Sequence, residues 1–290
     1  MINLRIVAAL LATSVFLVTV TKSFAANAPV VICSEPYPPF IYEAAGGDEN
    51  GKKLAGIYPS NFKMLEKLTG LKIRFILLPW KRCLHEVEHF SGPGQPELVI
   101  GHSFNKERYR KYHMIGPIYS THYGLFYSRK KFPDGPYSKR FGRAVSKIAD
   151  MQDFRICGLI GWNYEFWYTQ HNMPRSVRVD ETPGGHQAVM RMVSADRCDV
   201  AAINIESTIG AILSGSLKMP KDIACRKLKG VGDLRNYMSV SRKSPRAEML
   251  VTRLSTAIIY LKNTRNWLNN LDVEIAKQFP GGKGSPLKCL

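Results

Sequence analysis

The stretch LVIGHSFNKER, residues 98–108, runs from apolar residues straight into a serine, an acid and several bases. Leu98 to Gly101 read as a buried strand, and the polar residues stand at its tip. An arginine in that place is either solvated or held out to an anion. The flanking sequence decides. Upstream, PVVIC (29–33) is another short buried strand, broken by the prolines of SEPYPPF. FIYEAAGGDENGKKLAGI then reads as a hairpin-like excursion with a polar tip. Tyr58 to Thr69 carry Phe62, Leu65 and Leu68 on one helical stripe. KIRFILLP is a strand stopped by Pro79, Trp80 to Phe90 a short helix, and SGPGQPE the turn that leads into LVIG. Strand, helix, strand, helix, strand predicts a parallel sheet covered by helices.

The pattern recurs downstream. FRICGLIG (154–161), SVRVDE, CDVAAIN and DIACRKL are strands; WNYEFWYTQHN, PGGHQAVMRMVSADR and ESTIGAILSG are the helices between them. GLFYSRKKFPDGPYSKRFG joins the two units as a strand followed by a polar, proline-rich stretch. After the second unit come the strand LRNYMSVSRKS and a long amphipathic helical region, residues 244–271. That region needs a sheet to cover, and the first unit is the open one. The chain therefore crosses between units twice. In open α/β units, loops and helix N-termini gather at the C-terminal strand ends and bind ligands there. Here those ends are SEPYPPF, LPWKR, GHSFNKER, GWNYE and NIES, which places the aromatics Tyr37, Phe40, Trp80 and Trp162 in a shared crevice.

Bulk properties narrow the class. Residues 1–25 have a basic start at Arg5, an apolar core from Ile6 to Val20 and a small-residue exit at Ala25. That is a cleaved secretory signal peptide. No later stretch approaches a membrane span. A hydrophobic content of 45% with 22% charged residues marks a globular chain. The formal charge of +18 falls to +16 once Arg5 and Lys22 leave with the leader. The excess is dispersed rather than gathered with aromatics, which argues against a nucleic-acid surface. The six cysteines all lie in the mature part, an even number in an exported chain, and none forms a C-x-x-C.

In the order PYPPF, PW-K-R, the S-x-x-x-x-R of SFNKER, GPIYS, GWNYE, ADRCDVAAIN and YMSVS, the chain resembles the extracellular solute-binding proteins of amino-acid-type ABC importers (family 3). The resemblance covers nearly the whole mature sequence. It implies a two-lobed periplasmic-binding-protein-like α/β fold, each lobe a mostly parallel sheet flanked by helices, the lobes joined by two crossing strands. Lobe 1 is expected from residues 26–126 with 238–290, and lobe 2 from 127–237, with hinges near Phe126–Tyr127 and Tyr237–Met238. The family's carboxylate-gripping arginine falls on Arg108 and its hydroxyl partner on Ser103. The aromatic after the first strand falls on Tyr37, and the first strand end of lobe 2 on Trp162 and Asn163. The acid that commonly holds an α-ammonium falls on Asn204, a departure, because an amide cannot neutralise an ammonium. Either Glu206 takes that role or the ligand is not an ordinary amino acid. Physical chemistry supports Arg108 independently: a guanidinium offers paired donors that match two carboxylate oxygens.

What the resemblance implies is a monomeric periplasmic binder that passes a small carboxylate-bearing ligand to an inner-membrane ABC permease, without cofactor or metal. The runner-up is an enzyme on the same fold, such as a cyclohexadienyl dehydratase, whose cleft needs an acid of raised pKa; Glu165 and Glu206 are the candidates. The relatives with further domains, a lytic transglycosylase or a sensor-kinase input module, fit less well. Cys33 and Cys83 stand near the ends of neighbouring strands and are expected to pair, as are Cys157 and Cys198, leaving Cys225 and Cys289. Two motifs read as decoys. HEVEH (85–89) has zinc-protease spacing but no third ligand and points away from the crevice. GGDENGK (46–52) lacks a strand-to-helix setting for a phosphate loop.

Overall fold

The computed structural model describes residues 28–45, 52–231, 234–267 and 289. The leader and the tip of the first hairpin, residues 46–51, lie outside the described residues. The chain opens with β1 (Val30–Ser34), all of whose residues are buried, as expected of a strand covered on both faces. The hairpin β2 (Tyr42–Ala45) and β3 (Lys52–Ala55) follows. Helix α1 (Ile57–Thr69) ends at Gly70, whose positive φ of 70° lets its N–H reach the Glu66 carbonyl. Next come β4 (Ile73–Leu77), α2 (Trp80–Glu88), β5 (Leu98–Ser103), α3 (Lys106–Lys111) and β6 (Tyr112–Thr121). The second unit starts with β7 (Tyr123–Ser128) and a small hairpin, β8 (Tyr137–Ser138) and β9 (Arg143–Ala144). It continues through β10 (Ile156–Leu159), α4 (Glu165–Gln170), β11 (Val179–Thr182), α5 (Gly185–Ser194), β12 (Val200–Asn204), α6 (Ile205–Leu213) and β13 (Ile223–Lys227). The chain returns as β14 (Leu234–Ser241) and α7 (Ala247–Asn263).

Two five-stranded sheets result, ordered β4-β1-β5-β14-β6 and β11-β10-β12-β7-β13. In each, three strands are parallel and the crossing strands add antiparallel pairs. The architecture is the expected two-lobed α/β fold. The crossings fall earlier than Phe126–Tyr127 and Tyr237–Met238. Pairing of β7 with β12 begins at Tyr123, and pairing of β14 with β6 begins at Leu234. The chain thus changes sheet at His122, and has done so again by Leu234.

Each sheet has apolar side chains on both faces. Helix α7 covers the first sheet, as its unpaired apolar stripe requires, with Leu250, Leu254, Ile258 and Leu261 buried in one cluster with β1, β5 and α1. The opposite face holds Cys33, Trp80, Cys83 and Val87 under α2. Among the described residues, Trp162 packs against all four apolar clusters, two in each lobe. It therefore sits where the lobes meet.

Disulfides join Cys33 to Cys83, Cys157 to Cys198 and Cys225 to Cys289. The third carries a correction to the expected lobe boundary. Cys289 bonds to β13 of the second sheet, so the chain's C-terminal end is tied to lobe 2 although α7 belongs to lobe 1.

A buried ion pair fixes the edge of lobe 1 remote from lobe 2. Glu97 is 1% exposed. Arg246 donates to both of its carboxylate oxygens and, at 2.6 Å, to the Ala28 carbonyl; Ser244 donates to Glu97 as well. Removing one partner of such a pair leaves a buried charge exposed to no solvent and costs roughly 3–5 kcal/mol. Glu97→Ala is expected to lower the melting temperature by about 10 °C, given roughly 2–4 °C per kcal/mol for a chain of this size. A change of a degree or two in differential scanning calorimetry would contradict this.

Candidate ligand cleft

The peptide that opened the sequence reading forms one wall of the inter-lobe cleft. β5 ends at Ser103, and Asn105 caps α3 by accepting the Arg108 N–H at 2.7 Å. This short helix turns Arg108 inward, so that the side chain is buried with the residue only 8% exposed. Its Nη1 donates to the Ser103 carbonyl at 3.0 Å and its Nη2 to the Gly161 carbonyl of lobe 2 at 3.2 Å. The guanidinium carbon lies 5.7 Å from the centre of the Trp80 ring, within range of a cation–π contact. Burial pulls the Arg108 pKa down to about 10, which still leaves it charged at neutral pH. His102 beside it is buried between Ser239 Oγ (2.8 Å) and the Ser103 carbonyl. Burial, and then the Arg108 charge, push its pKa down to about 3, so it is neutral.

Lobe 2 offers the turn after β10. Gly161 adopts a positive φ of 77°, and a Cβ there would meet Trp80 and Lys81 at 3.1 Å. Its carbonyl accepts from Trp80 Nε1 at 3.0 Å as well as from Arg108. Trp162 Nε1 donates to Glu35 at 3.2 Å, and Asn163 Nδ2 donates to Ser103 Oγ and the Phe104 carbonyl, each at 3.0 Å. At the other wall, Asn204 Nδ2 donates to the Tyr37 hydroxyl at 2.7 Å. Asn204 Oδ1 is buried with no hydrogen-bond partner among the described residues. The lobes are therefore closed on one another through polar groups.

These residues enclose a cavity of about 30 Å³, lined among others by Glu35, Tyr37, Arg108, Trp162 and Asn204. A volume of that order holds roughly one water-sized group. Wider recesses open on either side. One, of about 610 Å³, shares Arg108 and Asn163 with the cavity and carries Arg175 and Arg178. The other, of about 440 Å³, shares Glu35, Tyr37 and Trp80 and has Leu77, Leu78, Leu159 and Ile160 in its wall. Trp162 lines all three.

Of the residues expected at the site, Tyr37, Trp80, Ser103, Arg108, Trp162, Asn163 and Asn204 line this one cavity. Glu206 does not. Its oxygens accept from the His122 backbone N–H at 2.9 Å and bond His122 Nδ1 at 2.6 Å, at the inter-lobe crossing. Phe40 is core rather than cleft: it is 1% exposed and stacks on Tyr119 at 4.2 Å. Glu165, a candidate acid, lies at the rim in an ion pair with Arg175 that lowers its pKa. His85 and His89 stack on each other at 4.3 Å at the far end of α2, and no group of three or more metal-ligating side chains occurs among the described residues. Sequence reasoning missed Glu35 and His102. Glu35 stood in the SEPYPPF loop, but an acid in a proline-rich loop reads as solvated. Burial instead pushes its pKa up to about 7, partly opposed by the Trp162 indole N–H.

No family model matches this chain, and no curated protein matches it. Solved structures do match in fold. The substrate-binding protein AbpA of an amino acid ABC transporter from Streptococcus pneumoniae, bound to L-arginine, superposes with a TM-score of 0.64 at 13% identity, over 87% of this chain and 96% of that one. A histidine kinase sensor domain similar to periplasmic binding proteins gives 0.63 at 17%, over 87% and 96%. The GluR0 ligand-binding core of Nostoc punctiforme with L-glutamate gives 0.59 at 13%, over 84% and 98%. The fold is that of the two-lobed substrate-binding proteins of amino acid ABC transporters. No helix among the described residues is long and apolar enough to cross a membrane.

Proposed function

We propose that this chain is a periplasmic solute-binding protein. It captures a small carboxylate-bearing solute of amino-acid size between its lobes and delivers it to an ABC importer. The observation that carries the reading is Arg108: a charged guanidinium buried at the inter-lobe cavity and held by backbone carbonyls of both lobes. A carboxylate offers the same fork a stronger, charge-assisted partner than a carbonyl does. Hinge opening about the two crossings frees Arg108 from Gly161, and closing on a bound carboxylate restores the enclosure. Three disulfides suit the oxidising compartment outside the cytoplasm. The direct test is native mass spectrometry of the freshly purified protein, together with a thermal-shift screen of small carboxylates. A bound acid or a carboxylate-dependent rise in melting temperature is expected. Stabilisation confined to neutral or cationic solutes would refute the reading.

One observation keeps a second reading in play. Glu35 is a half-buried cleft acid whose pKa is raised by desolvation, which is what a same-fold dehydratase requires of its proton donor. Conversion of prephenate or arogenate, lost in Glu35→Gln, would favour the enzyme over the binder.

A further inference from the structure

We propose that the cleft selects a carboxylate whose second polar group is uncharged and can donate a hydrogen bond, a hydroxy- or amido-acid, and that Glu35 and Asn204 read that group. The inference rests on the carboxylate reading of Arg108 given above.

The charges around the cavity carry the argument. Arg108 supplies one positive charge from lobe 1. His102 is held neutral, and lobe 2 contributes the amides of Asn163 and Asn204. Among the described residues, the only carboxylate lining the cavity is Glu35. The groups facing it are Tyr37 of its own loop, Trp80 and exposed Lys81 of α2, Arg108 of α3, and Trp162, Tyr164 and His186 of lobe 2. Among the described residues its carboxylate accepts one hydrogen bond, from the neutral Trp162 indole. His186 is half-buried and held neutral, desolvation taking its pKa down to about 4. Burial with so little compensation favours the protonated acid.

A zwitterion would meet this set badly. Its carboxylate would satisfy Arg108, but its ammonium would face an amide and a carboxyl that gives up its proton only against desolvation. A singly charged acid balances the site, one negative charge against one positive. Its hydroxyl or amide N–H supplies the donor that buried Asn204 Oδ1 lacks among the described residues, which relieves the cost of leaving a buried acceptor unpaired. Its oxygen can accept from protonated Glu35. Glu35 also borders the recess walled by leucines and isoleucine.

Protonation gives the idea a sign. Glu35 moves from an ordinary 4.5 when hydrated to about 7 when the cleft is closed, so closing takes up a proton between those values. Affinity is therefore greatest in acid and falls as pH rises through about 7. The limit is about tenfold per pH unit.

The experiment is isothermal titration of the mature protein with matched pairs that differ only in hydroxyl for ammonium. They run from glycolate and glycine, through lactate and alanine, to phenyllactate and phenylalanine. Measurements are made one pH unit below and above the Glu35 midpoint. The hydroxy member of a pair is expected to bind at least tenfold tighter. Its affinity should fall with rising pH in the wild type and stay level in Glu35→Gln. A tighter amino member whose binding is lost in Arg108→Ala would overturn this inference and leave the carboxylate reading standing. If no member of any pair binds, that reading fails and this inference with it. As a spectroscopic check, with a saturating hydroxy acid holding the cleft closed, the infrared carbonyl stretch of a protonated carboxyl should appear below the midpoint and be absent from Glu35→Gln. If the two proteins give the same spectrum there, Glu35 is ionised and the proposal is wrong.

Discussion

Arg108→Ala is expected to abolish carboxylate binding while leaving the protein folded. The side chain makes one hydrogen bond within its own lobe and one to Gly161 across the cleft. Truncating a buried, hydrogen-bonded charge at a binding interface costs about 2–5 kcal/mol, which is a loss of roughly 30- to 5000-fold in affinity. In practice the thermal shift given by a saturating carboxylate should vanish. Any acid that co-purifies with the wild type should be missing from the variant. Arg108→Lys separates charge from geometry. It keeps the charge but not the two-pronged fork, so partial recovery at high ligand concentration is expected. Thermal shifts in Arg108→Ala equal to those of the wild type would show that the guanidinium does not hold the ligand.

Gly210→Ala is expected to hold the lobes apart. Gly210 lies on α6 of lobe 2, and a Cβ there would stand 2.2 Å from Pro39 N and 2.3 Å from Pro38 C in the lobe 1 loop. The obstacle is backbone, which cannot swing aside as a side chain does. Overpacking costs roughly 1–3 kcal/mol where neighbours can yield; here the upper end is expected, and lobe separation relieves it. The variant should melt near the wild-type temperature, since each lobe keeps its own core. Its radius of gyration in small-angle scattering should be larger, and ligand affinity should drop about 100-fold. An unchanged radius with unchanged affinity would mean that closure does not bring α6 onto the Pro38–Pro39 loop. The same substitution at Gly161 should be milder on packing, because its nearest neighbours are the side chains of Trp80 and Lys81 at 3.1 Å. It adds strain from the positive φ there.

The alternation of strand and helix was legible because each apolar run matched its period. VVIC and LVIG are strands covered on both faces, and the 247–261 stripe is a helix covering one sheet. The placement of Ser103 and Arg108 was legible too, because a polar cluster directly after a buried strand marks a strand end. The exact crossings were not. Thr121, His122 and Tyr123 carry no break in pattern, and which sheet each joins depends on partners more than eighty residues distant in β12 and β14. Glu206 looked like the site's spare acid by its place after Asn204. Its direction depends on where His122 lies.

Residue order alone determines the α/β alternation, the strand ends that carry Tyr37, Trp80, Ser103, Arg108, Trp162 and Asn204, and the even complement of cysteines. Those are local consequences of periodicity and of where prolines and glycines interrupt it. Tertiary structure alone decides that Glu35 is a desolvated acid, that Asn204 Oδ1 has no partner among the described residues, that Phe40 is core, and that Cys289 returns to the second lobe. The physical reason is desolvation: whether a polar group near a strand end is hydrated or enclosed depends on the opposite lobe, which no neighbouring residue in the chain encodes.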